Sequence, residues 1–97
     1  MTLLTIRKRL TGISSRLKME KEELKVAEEQ LTHLNDEASD AHMRALLSET
    51  ALSDREYREA DNQARAMEAH FEKIHNNILR LESQQDELLD QLNLEKN

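Results

Sequence analysis

The sequence lacks cysteine, proline and tryptophan, and it contains a single glycine, one tyrosine and one phenylalanine among 97 residues. Without cysteine there is no disulfide, no thiolate metal site and no cysteine nucleophile. Proline and glycine mark turns, so their scarcity argues against an all-β or mixed α/β domain of this length. Good helix formers such as Glu, Leu, Ala, Lys, Arg and Gln dominate instead, which predicts long helices.

Long apolar runs are also missing, since no run exceeds three residues. We therefore predict no transmembrane span and no signal-peptide core, and we expect a soluble, cytoplasmic protein. The net charge is −6. Residues 1–19 carry five basic residues and no acidic one, so the remaining residues carry −6 − 5 = −11. This acidic bulk makes nucleic-acid binding unlikely, because such binding needs a basic face.

The first half of the chain follows a heptad pattern, in which positions a and d form an apolar seam. From Leu3 onward, the a series is Leu3, Leu10, Leu17, Leu24, Leu31, Ala38 and Ala45, and the d series is Ile6, Ile13, Glu20, Ala27, Leu34, Ala41 and Ser48. Gly12, at an outward c position, is the weak point, but we expect one continuous helix through it.

The second half follows its own heptad pattern in a different phase. Its a series is Tyr57, Ala64, Phe71, Ile78, Gln85 and Leu92, and its d series is Ala60, Met67, Ile74, Leu81 and Leu88. Tyr57 lies twelve positions after Ala45, which is not a whole number of heptads. One straight helix would turn the two seams to different faces, so the phase break predicts a turn.

We place this turn near residues 49–53 because the sequence after it is typical of a helix start. Ser53 and Glu56 have the spacing of a capping box, and Leu52 and Tyr57 have that of a hydrophobic staple. The prediction is an all-α fold, a long antiparallel two-helix coiled-coil hairpin with helices over roughly 3–49 and 54–95. The hairpin forms a single domain over residues 1–97.

Antiparallel pairing requires the numbers of facing residues to sum to a constant, and a sum of 105 centres the hairpin on the predicted cap. This register brings the two polar seam residues, Glu20 and Gln85, together, and buried polar groups need such partners. Flanking pairs include Glu37 with His70 and His42 with Asp61. The same register also fits an antiparallel dimer of straight helices, so the sequence leaves pairing within one chain or between two chains open.

A lone two-helix hairpin is marginally stable, because the burial it achieves barely matches the cost of ordering the chain. We expect two hairpins to dimerise into a four-helix assembly through apolar residues outside the seam. The candidate residues for this dimer face are Met19, Val26, Leu47, Leu79 and Leu89.

The basic N-terminal segment, residues 2–18, suggests a second role. Apolar and basic residues alternate there at helical spacing, as in helices that lie on anionic membranes. Candidate contacts with an anionic surface are Arg7, Lys8, Arg9, Arg16 and Lys18. The competing interpretation, which we favour, is that acidic residues near the C-terminus neutralise this cluster.

No pattern in the sequence predicts catalysis. The four histidines lack the spacing that lets metal ligands share a helix face, and no phosphate-binding or nucleophile motif is present. We therefore expect no enzyme activity, no cofactor and no metal. The predicted function is a protein–protein interaction or scaffolding module with an unidentified partner, and the alternative is a peripheral membrane-surface adaptor.

Overall fold

The computed structural model describes residues 1–96 and contains two helices of 46 residues each. Helix α1 spans Leu3–Ser48 and helix α2 spans Ala51–Lys96. No strand occurs among the described residues. The predicted all-α helical hairpin is therefore confirmed, although α2 begins three residues earlier than the sequence suggested. The predicted domain ends at residue 97, which lies outside the described residues.

Both predicted seams are confirmed by burial. Every predicted a and d residue of α2 is buried or half-buried, and in α1 only Leu3 and Ser48 are exposed. Helix α1 also passes through Gly12 without interruption, as expected.

Packing divides the chain into two compact units. The terminal unit contains Met1–Leu24 and the residues from Ile74 onward, and the turn unit contains Lys25–Lys73. Large aliphatic side chains form the buried core of the terminal unit: Ile6, Leu17, Ile74, Ile78, Leu81 and Leu88. The buried hydrophobic residues of the turn unit are all alanine: Ala27, Ala38, Ala41, Ala45 and Ala64. Small seam residues let two helices approach closely, which suits the part of a hairpin beside its turn.

The turn consists of Glu49 and Thr50. The Glu49 N–H donates to the Ala45 carbonyl at 3.0 Å, and Glu49 has a φ of 51°. This is the left-handed helix ending that glycine usually provides. A glutamate there carries a conformational cost of about 1–2 kcal/mol, so the surrounding contacts must hold it.

The predicted Ser53–Glu56 capping box is wrong, because the cap lies three residues earlier. The Ser53 N–H donates to Thr50 Oγ1 at 3.1 Å, and the Thr50 N–H donates to Ser53 Oγ at 3.3 Å. The two hydroxyls are also hydrogen-bonded at 2.8 Å. Thr50 is thus the cap, and Ser53 takes the place that glutamate has in the usual capping box. Starting α2 at Ala51 shortens the turn and buries Ser53, which is 7% exposed.

The predicted staple also fails, because Leu52 lies inside α2 and is 63% exposed. The Tyr57 ring stacks on His42 instead, with ring centroids 4.4 Å apart. Glu56 lies on the surface of α2, in a groove that also contains Glu37 and Arg44.

The predicted sum of 105 for facing residues is wrong by about one heptad. In the turn unit, the stacked rings of His42 and Tyr57 have numbers that sum to 99. Asn35 Oδ1 accepts a hydrogen bond from Arg65 Nη2 at 2.6 Å, and their numbers sum to 100. In the terminal unit, Ile13 lines one groove with four α2 residues between Gln84 and Gln91, and the sums of their numbers with 13 run from 97 to 104. The earlier turn explains the shift, since it moves the centre of the hairpin towards the N-terminus.

This correction removes the predicted partner of Glu20. A sum near 99 places Glu20 level with Ile78 and Leu81, whereas Gln85 lies level with Ile13. The Oε2 atom of Glu20 is buried and has no hydrogen-bond partner among the described residues. The meeting of Glu20 with Gln85, which followed from centring the hairpin on the predicted cap, is therefore wrong, and Glu20 lacks the predicted partner.

Candidate functional site

The two sides of the hairpin differ in chemistry, and we name each side by the heptad positions that lie on it. The e side carries the residues at e positions of both helices, and the g side carries the residues at g positions. Outward c positions adjoin the g side, and outward b positions adjoin the e side.

The e side of the turn unit is closed by polar contacts. Arg65 binds Asn35 across the two helices, pairs with Glu68, and lies 3.6 Å from Asp61. The predicted pair of His42 with Asp61 is therefore replaced by an arginine pair and by the stack on Tyr57. Glu37, predicted to meet His70, pairs with His33 at 3.1 Å on its own helix.

The g side of the terminal unit contains an open groove of about 510 Å³. Arg9, Gly12 and Arg16 of α1 form one wall of this groove. Gln84, Glu87 and Gln91 of α2 lie along the opposite wall, and seam residues form its floor. We call this the Gly12 groove. A Cβ atom added at Gly12 would have no neighbour within 4 Å, so the position of the missing side chain is open space, which we call the hole at Gly12.

The five basic residues predicted to contact an anionic surface are all exposed, but they do not share one face. Arg9 and Arg16 line the Gly12 groove, whereas Arg7 lies at an e position on the other side. Lys8 and Lys18 occupy outward positions. Among the described residues, no ion pair joins this cluster to the acidic residues near the C-terminus. Glu87 does lie in the same groove as the two arginines.

The five apolar residues predicted to form a dimer face are also exposed, by 43% for Leu89 to 79% for Leu47. Heptad positions separate them into two groups. Met19, Val26 and Leu47 occupy c positions of α1, next to the g side. Leu79 and Leu89 occupy b and e positions of α2, next to the e side. A single interface of the predicted kind would therefore use one group and not both.

A second open groove, of about 550 Å³, lies on the g side of the turn unit. Val26, Gln30, His33 and Met67 are among its lining residues. Closer to the turn, Met43, Leu46, Leu47 and Leu52 are each more than half exposed. Both features add exposed apolar surface to the turn unit, and the groove also contains the polar side chains of Glu29, Gln30 and His33.

No group of three or more potential metal ligands occurs among the described residues. Within the same residues, no helix is long and apolar enough to cross a membrane. The class that the fold defines is an all-α helical hairpin. The chain matches no protein-family model, no curated protein and no solved structure in the three comparisons made.

The sequence reasoning missed Thr50 and the Gly12 groove. A signal for the cap was present, because Thr50 and Ser53 have the same spacing as the chosen pair, Ser53 and Glu56. The sequence contains no comparable signal for the groove, since Gly12 is distinguished there only by its low helix propensity. Its role as a gap between two arginines depends on which residues of α2 lie opposite.

Proposed function

We propose that this hairpin is a non-catalytic protein-interaction module that binds a second copy of itself and thereby forms a four-helix scaffold. The observation that supports this proposal most directly is the exposed apolar stripe at c positions of α1. Met19, Val26 and Leu47 are 63%, 52% and 79% exposed. Single exposed apolar residues are ordinary, but Met19 and Val26 occupy successive c positions of α1, and Leu47 follows at a later c position beyond His33 and Asp40.

The energetics of a hairpin support the same proposal. Two helices alone bury only one stripe of each, which leaves little free energy beyond the cost of ordering the chain. The alanine seam of the turn unit adds little apolar burial for its length. Packing a second hairpin against the exposed stripe would increase burial without changing either seam.

Sedimentation equilibrium tests this function. We expect the mass of the full chain to rise from that of one chain, 11.3 kDa, towards twice that value between about 1 and 500 µM, the range for interfaces of modest size. Met19→Lys should keep the protein monomeric, whereas Leu79→Lys, the matched control on the e side, should dimerise normally. A monomer mass at every concentration would refute the proposal.

The alternative function is a peripheral adaptor that binds anionic membranes through residues 2–18. Its support is the exposure of Leu3 and Leu4 beside Arg7 and Lys8. Its weakness is that Ile6 is 1% exposed and Leu10 is half-buried, so two apolar residues of this segment already pack inside the hairpin.

Flotation with vesicles containing anionic lipid distinguishes the two functions. The interaction module should remain with the soluble fraction, whereas an adaptor should float with the vesicles and lose this ability when Arg7, Lys8 and Arg9 are changed to Glu. If the wild-type chain floats and the changed but folded chain does not, the adaptor function is supported instead.

A further inference from the structure

We infer that the Gly12 groove is the docking site for α1 of a second copy, and that the partner's Val26 fills the hole at Gly12. This inference rests on the proposed function, to which it adds a surface and an alignment. The groove offers an open hole between two arginines. Val26 is an exposed apolar side chain on the same helix, flanked by Glu22, Glu23 and Glu29.

The alignment follows from a two-fold axis. If Gly12 faces the partner's Val26, facing c positions have numbers that sum to 38, and the two α1 helices run antiparallel. Met19 then lies on the axis and meets the partner's Met19. In the hairpin alone, Met19 is 63% exposed and Val26 is 52% exposed. Burying these two side chains against the partner therefore removes apolar surface from water on both copies.

Charge complementarity supports this alignment over its neighbours. In antiparallel helices, positions of the same kind lie side by side. Arg16 then faces the partner's Glu23, and Lys8 faces the partner's Glu29. Each pair occurs twice because of the symmetry. Neither Arg16 nor Lys8 has an ion-pair partner among the described residues of its own chain.

Other alignments lose this complementarity. Sliding the partner by one heptad in one direction places Arg16 against the partner's Arg16, and sliding it in the other direction places Glu23 against the partner's Glu23. Like charges that face one another weaken association and so select against wrong registers. In the inferred alignment, no like-charged residues of the two α1 helices face each other at f or g positions. Lys18 meets its own copy only at outward b positions, and Glu87 of α2 lies in the groove with Arg9 and Arg16.

The interface is modest in size. It extends from Lys8 to Gln30, which corresponds to about 33 Å of helix. Contact along one helix face of this length lies near the lower end of specific protein interfaces, so we expect dissociation at about micromolar concentrations.

Filling the hole provides the first test. Gly12→Trp should leave the hairpin folded, because nothing lies within 4 Å of the added Cβ, but its ring would occupy the space of the partner's Val26. We expect dimer affinity to fall about tenfold or more. The matched control is Thr11→Trp, which adds the same ring at the neighbouring, exposed b position outside the groove and should dimerise like the wild type. Circular dichroism would verify that both variants remain helical.

A charge swap provides the second test. Arg16→Glu and Glu23→Arg should each weaken the dimer about tenfold, because each creates two like-charged pairs. The double variant restores opposite charges and should recover affinity to within about threefold of the wild type. Arg7→Glu, which makes the same charge change on the e side, should have no effect on association.

Cysteine crosslinking tests the axis itself, since the chain has no native cysteine. Met19→Cys should oxidise rapidly to a disulfide-linked dimer. Met43→Cys is the matched control, as Met43 is 58% exposed on the same helix but lies far from the axis.

These outcomes separate the inference from the function on which it rests. A wild-type monomer at all concentrations would refute both. A wild-type dimer that tolerates Gly12→Trp, ignores the charge changes and crosslinks equally well at positions 19 and 43 would refute the Gly12 groove alone. A dimer lost in Gly12→Trp and recovered by the charge swap would support both.

Discussion

Replacing Glu20 with leucine should stabilise this protein, although the sequence pattern predicts that Glu20 pairs with Gln85. Glu20 occupies a d position of the seam, between Leu17 and Leu24. Its Oε2 atom is buried and has no hydrogen-bond partner among the described residues. Burial separates this oxygen from solvent without giving it a protein hydrogen bond, so the folded state carries an uncompensated desolvation penalty.

The size of the effect follows from two contributions. Removing an unsatisfied buried oxygen returns about 1–3 kcal/mol. Leucine would add apolar burial worth at most about 1.5–3 kcal/mol at a fully buried site, and less here because Glu20 is half-buried. We therefore expect a gain of about 2 kcal/mol in the free energy of unfolding. For a chain of this length, that raises the melting temperature by about 10 °C.

Thermal and urea unfolding, followed by circular dichroism at one protein concentration, measure this gain. The concentration must be fixed because self-association makes the melting temperature depend on it. The control is Glu20→Gln, which keeps the size of the side chain but still presents a polar group to the seam. We expect this control to give less than half of the gain from leucine.

A double-mutant cycle with Gln85→Leu identifies the register at the same time. In the observed register the two residues are about one heptad apart along the seam, so their effects should add to within about 0.5 kcal/mol. If Glu20→Leu instead destabilises the protein, or if the two substitutions are coupled by more than this amount, Glu20 pairs with Gln85 and our reasoning is refuted.

Three further predictions concern local backbone geometry. Gly12→Ala should raise stability by about 1 kcal/mol through helix propensity, since the new methyl group meets no neighbour; a loss of stability would show that the groove wall is packed. Glu49→Gly should raise stability by up to about 1 kcal/mol because φ is positive at this position, whereas Glu49→Val should lower stability. If the valine variant were the more stable of the two, this turn conformation would be excluded. Thr50→Ala and Ser53→Ala should each lower the free energy of unfolding by about 1 kcal/mol. The double variant should lose less than the sum because the two side chains form one cap, and strictly additive losses would contradict a shared cap.

The sequence was sufficient to predict the fold class and the seams, because both depend on a periodicity that local slips do not disturb. A shift by one heptad returns every a and d residue to a seam position. Seam composition alone therefore cannot distinguish a sum of 105 from a sum of 98. The choice depends on the turn, where Thr50 and Ser53 compete with Ser53 and Glu56 as the cap. The outer surface was less predictable, since the Gly12 groove requires knowledge of the residues that face it.

One feature of the structure supports the observed register, namely the burial of Ile6 in the first turns of α1. A sum of 105 would not place Ile6 level with Gln91 or Leu94. In the observed register it borders a cavity with Gln91 and Leu94 and is 1% exposed. Ile6, Gln91 and Leu94 therefore show that the last turns of α2 lie beside the first turns of α1.

Ile6→Ala tests this account directly. Truncating a fully buried isoleucine should cost about 2–5 kcal/mol, which lowers the melting temperature by about 10 °C or more. Leu4→Ala is the matched control, because Leu4 is a similar side chain two residues away and is 64% exposed; its loss should cost less than about 0.5 kcal/mol. If Ile6 did not pack near Gln91 and Leu94, its truncation would cost no more than that of Leu4. Equal, small effects at the two positions would therefore exclude the observed pairing, since the burial of Ile6 depends on the last turns of α2.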